Sequence, residues 1–253
     1  MSCASAKLPK GLDDPWHVRE LRARIQSKPA LRKYYLEVYC KYTDCLARCP
    51  SRGLALELGS GAGFAKDLIP DLVTSDTIPY EGVDRVVDAT AMPFEEGSLR
   101  AIFMLNVFHH IPDAAAFLRE AQRCLVPGGR VLIVDQFPGW FSRWIYRYAH
   151  HESFHPEARD WKFDSTGPLS GANGALAWMV FERDRAQFEA EFPALHLERY
   201  EPHTPLRYWL IGGLKGWSLL PGWAFGTATA IDQGLMKLGR GWASFLDVEL
   251  VRA

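Results

Sequence analysis

Residues Leu54-Ala55-Leu56-Glu57-Leu58-Gly59-Ser60-Gly61-Ala62-Gly63 decide the fold. The first half is a short apolar run of the kind that forms a parallel strand buried on both faces. The glycines that follow let the backbone turn sharply, and they let a ligand lie against the main chain with no Cβ in the way. A dinucleotide-binding loop spaces its glycines G-x-G-x-x-G, which would place the third where Phe64 stands. Here the spacing is G-x-G-x-G, with Glu57 two positions before the first glycine. That pattern opposes a nicotinamide oxidoreductase and favours a ligand with a positive end over a pyrophosphate.

Outward from this loop, Phe64 to Ile69 reads as a helix stopped by Pro70. Leu72 to Ser75 reads as a second strand ending at Asp76, and Arg85 to Val87 as a third ending at Asp88. Too few residues separate Asp76 from the third strand for a crossover helix, which takes about a dozen, so residues 77–82 must cross as a loop. Ala101 to Val107 is a fourth strand, Pro112 to Leu125 a helix, Pro127-Gly128-Gly129 a tight turn, and Arg130 to Val134 a fifth strand ending at Asp135. Strands alternating with helices, with acidic residues at strand ends, define an α/β doubly wound, mostly parallel sheet whose ligands sit at the carboxyl ends of the strands.

Upstream, Asp14 to Cys49 is a helical segment divided at Pro29. Downstream come an aromatic stretch (Trp140 to Tyr148), a loop from Ser165 to Gly174, a helix from Leu176 to Phe192, and last strands at Leu195 to Tyr200 and Phe245 to Val251. One domain accommodates all of this: a helical N-terminal cap (1–52), a ligand-binding core (53–135) and a C-terminal elaboration (136–253).

The formal net charge of -1 gives no general attraction to nucleic acid. Met1 to Trp16 lacks the apolar stretch of a signal peptide. The five cysteines include no C-x-x-C pair, which points to reduced thiols in a cytoplasmic protein. The most apolar segment, Tyr208 to Ile231, is interrupted by Lys215 and Pro221 and falls short of the ~20 residues of a membrane span. Within 208–226, Trp209, Trp217, Leu219, Leu220, Trp223 and Phe225 form either two apolar turns packed on the sheet or a surface for peripheral membrane contact.

The ordered set of motifs between Gly53 and Asp135 resembles the class I S-adenosylmethionine-dependent methyltransferases, most closely their type 11 branch. Besides the glycine loop and Asp76, the set comprises Asp88-Ala89 with Met92-Pro93-Phe94, Asn106-Val107-Phe108-His109-His110-Ile111, and Leu125-Val126-Pro127-Gly128-Gly129-Arg130. The resemblance implies the Rossmann-like methyltransferase fold and S-adenosyl-L-methionine as cofactor. It further implies that Gly59, Ser60, Gly61 and Gly63 pack against the methionine part and ribose, with Glu57 near the ammonium group. Asp76 would accept from the ribose hydroxyls, Asp88 and Ala89 would contact the adenine with Met92 as apolar neighbour, and Asn106 would close the pocket.

The acceptor side is less defined. His110 and His155 are the candidate general bases for O-methylation of a small-molecule or lipid-like acceptor, His110 following the fourth strand with His109, and His155 clustering with His150, His151, Glu152 and Glu157. No recognised ligand spacing marks a metal site. C-methylation of a quinone-like ring, which needs less help from a base, and a cofactor-binding regulatory protein without turnover remain open on the same motifs.

Overall fold

The structure, a computed structural model, describes residues 15–148, 152–165, 167 and 171–253. β1 (Leu54–Leu58) lies inside a seven-stranded sheet, paired in parallel with β2 (Leu72–Asp76) on one side and β4 (Leu99–Leu105) on the other. β3 (Arg85–Val86) adds two residues beside the end of β2, and β5 (Leu125–Gln136) runs parallel to β4. β6 (Leu195–His203) and β7 (Phe245–Arg252) complete the order β3-β2-β1-β4-β5-β7-β6, with β7 antiparallel to both neighbours.

Because side chains alternate along a strand, the sheet feeds two separate cores. Leu56, Leu58, Ile102, Met104, Val131 and Ile133 belong to one; Ala55, Ala101, Phe103, Leu132 and Val134 belong to the other. The second is covered by α2 (Pro29–Leu46), which follows α1 (Pro15–Ser27). Leu31, Tyr34, Tyr35, Val38, Tyr39 and Tyr42 repeat at three- and four-residue spacing and lay one apolar face of α2 on the sheet. The first core is covered by α3 (Ala114–Cys124), whose Ala114, Phe117, Leu118 and Ala121 follow the same spacing. Asp113 caps α3 by accepting from the Ala116 amide at 2.8 Å. Helix, sheet and helix form three layers, a doubly wound α/β fold.

Several elements depart from the sequence reading. The helix expected at Phe64 to Ile69 is only a 3-10 turn, Ala65–Asp67. Six residues before a proline are too few to repay helix nucleation. Pro127-Gly128-Gly129 is not a turn before β5 but lies inside it. The β4–β5 register shifts between Leu99 and Ala101, and Gly128 takes φ +78° where the strand is irregular. β4 ends at Leu105, two residues early, because Asn106 leaves the strand conformation. The helix expected from Leu176 to Phe192 is broken into α5 (Leu176–Trp178), a π turn (Met179–Arg183) and α6 (Arg185–Glu191).

The aromatic stretch is helical as α4 (Trp140–Tyr148). The expected apolar turns of 208–226 become α7 (Arg207–Ile211), ended by Gly212 at φ +75°, and a 3-10 turn leading into α8 (Phe225–Leu238). Of the apolar side chains in that segment, Leu220 and Phe225 are buried while Trp217, Leu219 and Trp223 are exposed. Among the described residues, no helix is long and apolar enough to cross a membrane.

Candidate active site

A cavity of about 810 Å³ opens at the carboxyl ends of the parallel strands. Its first wall is the glycine loop, whose backbone explains its composition. Gly59 and Gly61 have φ +62° and +48°, a left-handed conformation that glycine adopts without steric cost. A Cβ on Gly59 would stand 2.4 Å from the Val107 side chain, and one on Gly63 would stand 2.7 Å from the Tyr39 hydroxyl. At Gly61 a Cβ would meet nothing closer than the Gly59 carbonyl at 3.7 Å. All three glycines line the cavity, and the loop is closely packed at its two ends and open at Gly61.

Asp76 stands where the sequence places it. Its carboxylate accepts from the Gly61 amide at 3.2 Å, the Tyr80 hydroxyl at 2.9 Å and the Ile78 amide at 3.3 Å. The short loop after β2 therefore does not displace Asp76; it holds it. Glu57 and Ser60 are buried in the same wall, and the Ser60 hydroxyl accepts from the Ser75 amide at 3.2 Å. Asp88, Ala89 and Asn106 also line the cavity. Asn106 adopts φ +54°, which Asn tolerates better than most residues, and its Oδ1 is buried without a hydrogen-bond partner. Met92 does not line the cavity; it belongs to the core against α3, where its amide donates to Glu120 at 2.7 Å.

The far wall carries a cluster that the sequence only hinted at. His109 is buried with Nδ1 2.6 Å from Asp135 Oδ1 and Nε2 3.2 Å from Glu152 Oε2. His110 sits beside it, ring centroids 4.2 Å apart, with Nδ1 3.0 Å from the Gly171 carbonyl and Nε2 3.5 Å from Glu152 Oε1. Gln136 donates to Glu152 Oε2 at 2.8 Å. Burial by itself would strip the proton from His109, but the Asp135 and Glu152 carboxylates outweigh it and raise its pKa to about 10.

His155 is a correction. Its imidazole is 62% exposed, faces Glu157 at 3.5 Å and contributes nothing to the cavity wall. A residue three beyond Glu152 points elsewhere because the chain is extended and turning there, not helical. His150 and His151 lie outside the described residues. Asp135 and Gln136 carried no motif of their own; the signal for Asp135 was its place at the end of β5.

Comparison with known proteins agrees with this geometry. Residues 56–133 match the family model described as a methyltransferase domain. The chain is 34% identical over 64 residues to the chloroplastic tocopherol O-methyltransferase of Arabidopsis thaliana, covering 25% of this chain and 18% of that one. It is 28% identical over 80 residues to a ubiquinone/menaquinone biosynthesis C-methyltransferase of Desulfotalea psychrophila, covering 31% and 32%. The chain thus spans about a fifth to a third of the length of these curated relatives.

Among solved structures, geranyl diphosphate C-methyltransferase from Streptomyces coelicolor superposes with a TM-score of 0.51 at 14% identity, over 88% of this chain and 81% of that one. A chain of the complex between the Haloferax volcanii Trm112 methyltransferase activator and a methyltransferase superposes at 0.54 and 14%, over 97% and 100%. At such identities the likeness is one of fold. Residues 56–133 thus carry the mark of a type 11 methyltransferase domain, set in the fold of the S-adenosylmethionine-dependent methyltransferases.

The residues present fit S-adenosylmethionine. Glu57 Oε2 is buried without a partner, and burial, helped by the Asp76 charge, raises the Glu57 pKa to about 7. A ligand ammonium would supply the missing counter-charge and favour the ionised carboxylate. Binding that requires ionised Glu57 must release its proton below pH 7 and releases none above it. Affinity for S-adenosylhomocysteine is therefore expected to fall by up to about tenfold per pH unit below 7 and to level off above. Calorimetry across this range, with Glu57→Gln as the pH-insensitive and weaker reference, checks the assignment; an equal pH slope in Glu57→Gln would refute it.

Proposed function

We propose that the protein methylates an oxygen of a small apolar or lipid-like acceptor. The observation that carries this reading is the continuity of one cavity from the glycine loop to His110 and Glu152, with Tyr35, Tyr146, Tyr208, Trp209, Trp217 and Phe245 in its walls. Rigid aromatic walls suit an apolar or ring-bearing acceptor. Trp217 is both in the wall and half exposed, and Leu219 and Trp223 nearby in sequence are exposed. That arrangement favours entry of a lipid-like acceptor from an apolar phase.

When bound, S-adenosylmethionine supplies an electrophilic methyl group on a sulfonium. The chain's own part is to hold, orient and deprotonate. Glu57, the Gly59–Gly63 backbone, Asp76, Asp88, Ala89 and Asn106 would hold the cofactor. The aromatic walls exclude water and fix the acceptor's approach. A carbonyl only accepts, so the Gly171 carbonyl fixes the His110 proton on Nδ1 and leaves Nε2 to take the proton of an acceptor hydroxyl.

Methyl-labelled S-adenosylmethionine offered with phenolic, aliphatic-hydroxyl and quinone-like ring acceptors tests the proposal. Label in a methyl ether is the expected outcome. Label on ring carbon would establish the C-methylation reading that the Desulfotalea relative's activity suggests. Tight cofactor binding with no transfer to any acceptor would favour a regulatory role.

A further inference from the structure

The geometry points to a divalent transition-metal site formed by His109 Nε2, His110 Nε2 and Glu152, on the acceptor wall of the cavity. The donor atoms of these three side chains lie within 4.8 Å of one another. The two distances to the carboxylate are 3.2 and 3.5 Å. A tetrahedral ion holding nitrogen and oxygen donors at about 2.1 Å sets them about 3.4 Å apart, and each ring already stands about that far from one carboxylate oxygen, His109 from Oε2 and His110 from Oε1.

The far side of each ring supports the same assignment. His109 Nδ1 faces Asp135 at 2.6 Å, and His110 Nδ1 faces the Gly171 carbonyl at 3.0 Å. Both partners accept, so each ring holds a proton on Nδ1 and leaves Nε2, which faces the Glu152 carboxylate, as the nitrogen an ion would bind in place of a proton. Metal-binding histidines are held in this way, with a carboxylate or carbonyl on the nitrogen that does not bind the metal. Gln136 donates to Glu152 Oε2 and orients the carboxylate as the third ligand.

Charge points the same way. Asp135 is 1% exposed and the Glu152 side chain 18% exposed, so two carboxylates flank one buried ring. One proton shared with His109 leaves a negative charge in this enclosed corner, whereas a divalent cation balances both. Two imidazoles and a carboxylate suit zinc or a neighbouring first-row ion rather than magnesium or calcium, which take oxygen donors. Three protein ligands leave a coordination position on the cavity side, as catalytic sites do. In the metal-bound form His110 Nε2 is a ligand rather than a base, and an acceptor hydroxyl in the open position would be made more acidic by the ion; this last step rests on the proposed reaction, whereas the metal site does not.

The test uses the full chain, freed of metal by chelation and titrated with Co²⁺ alone, whose visible absorption reports tetrahedral coordination. One Co²⁺ per chain, displaced by Zn²⁺, is expected. His110→Ala and Glu152→Gln should each weaken uptake at least about tenfold, and Asp135→Asn by about 10- to 100-fold through the supporting hydrogen bond. Cys45→Ser and His155→Ala should leave it unchanged. Nitrogen chemical shifts of the histidine rings in the unmutated chain, with and without Zn²⁺, keep the test decisive if a variant misfolds. No uptake, uptake that survives His110→Ala and Glu152→Gln, or a His109 ring that stays doubly protonated with Zn²⁺ present would overturn the site. None of these readouts requires methyl transfer, so failure of the reaction proposal and failure of the metal site are distinguishable.

Discussion

Gly61→Val is expected to weaken binding of S-adenosylmethionine and S-adenosylhomocysteine by about 100-fold or more, near 2.7 kcal/mol. Two effects add. Gly61 has φ +48°, where a residue with a Cβ is strained by about 1–2 kcal/mol and a β-branched one is a clear outlier. Its missing Cβ also opens onto the cavity, so both methyl groups of valine would stand in the cofactor's path. Strain alone would appear as a lower Tm, while the steric effect would appear as a lost binding isotherm in protein that is still folded. Gly61→Ala separates the two, since it adds the strain with little of the bulk and should keep most of the affinity. Normal binding by Gly61→Val would remove the glycine loop from the site.

The parts of the molecule that were legible in the sequence are those set by local physics. The run of apolar residues before Gly59, the acidic residues at strand ends and the three- and four-residue spacing of α2 and α3 each follow from burial of one or two faces, and each appears in the structure. Asp76 was legible because a strand end at the cavity is fixed by chain direction alone. Met92 was misread because apolar character is shared by a cavity wall and a core, and only packing against α3 decides between them. The fragmentation of 176–192 and the appearance of α4, α7 and α8 depend on tertiary contacts in a region without strong periodicity.

The acceptor side was hidden for a further reason. His109, Asp135 and Glu152 come from three segments separated by 26 and 17 positions in the chain, and no spacing rule links residues that meet only when β4 and β5 pair. His155 drew attention through nearness in sequence to Glu152, yet the structure turns it outward to Glu157. Closeness along the chain was the misleading signal, and the ends of adjacent parallel strands were the informative one.

His110→Ala is expected to lower turnover on a hydroxyl acceptor by about 100-fold or more while leaving cofactor affinity within about twofold. The ring lies on the acceptor wall, is held from behind by the Gly171 carbonyl, and has no bond to the glycine loop or Asp76, so its loss leaves the cofactor end intact. A structural role would act through stability and would lower turnover equally at all pH values. Loss of a base instead changes the shape of the pH–rate profile, and His110→Ala should show that change. His110→Gln, which keeps a hydrogen-bonding side chain of similar reach but cannot serve as a base, should resemble the alanine variant. If His110→Ala keeps the wild-type rate and pH profile, His110 neither removes the acceptor proton nor holds a metal needed for turnover, and alignment of the acceptor by the aromatic walls would account for the rate.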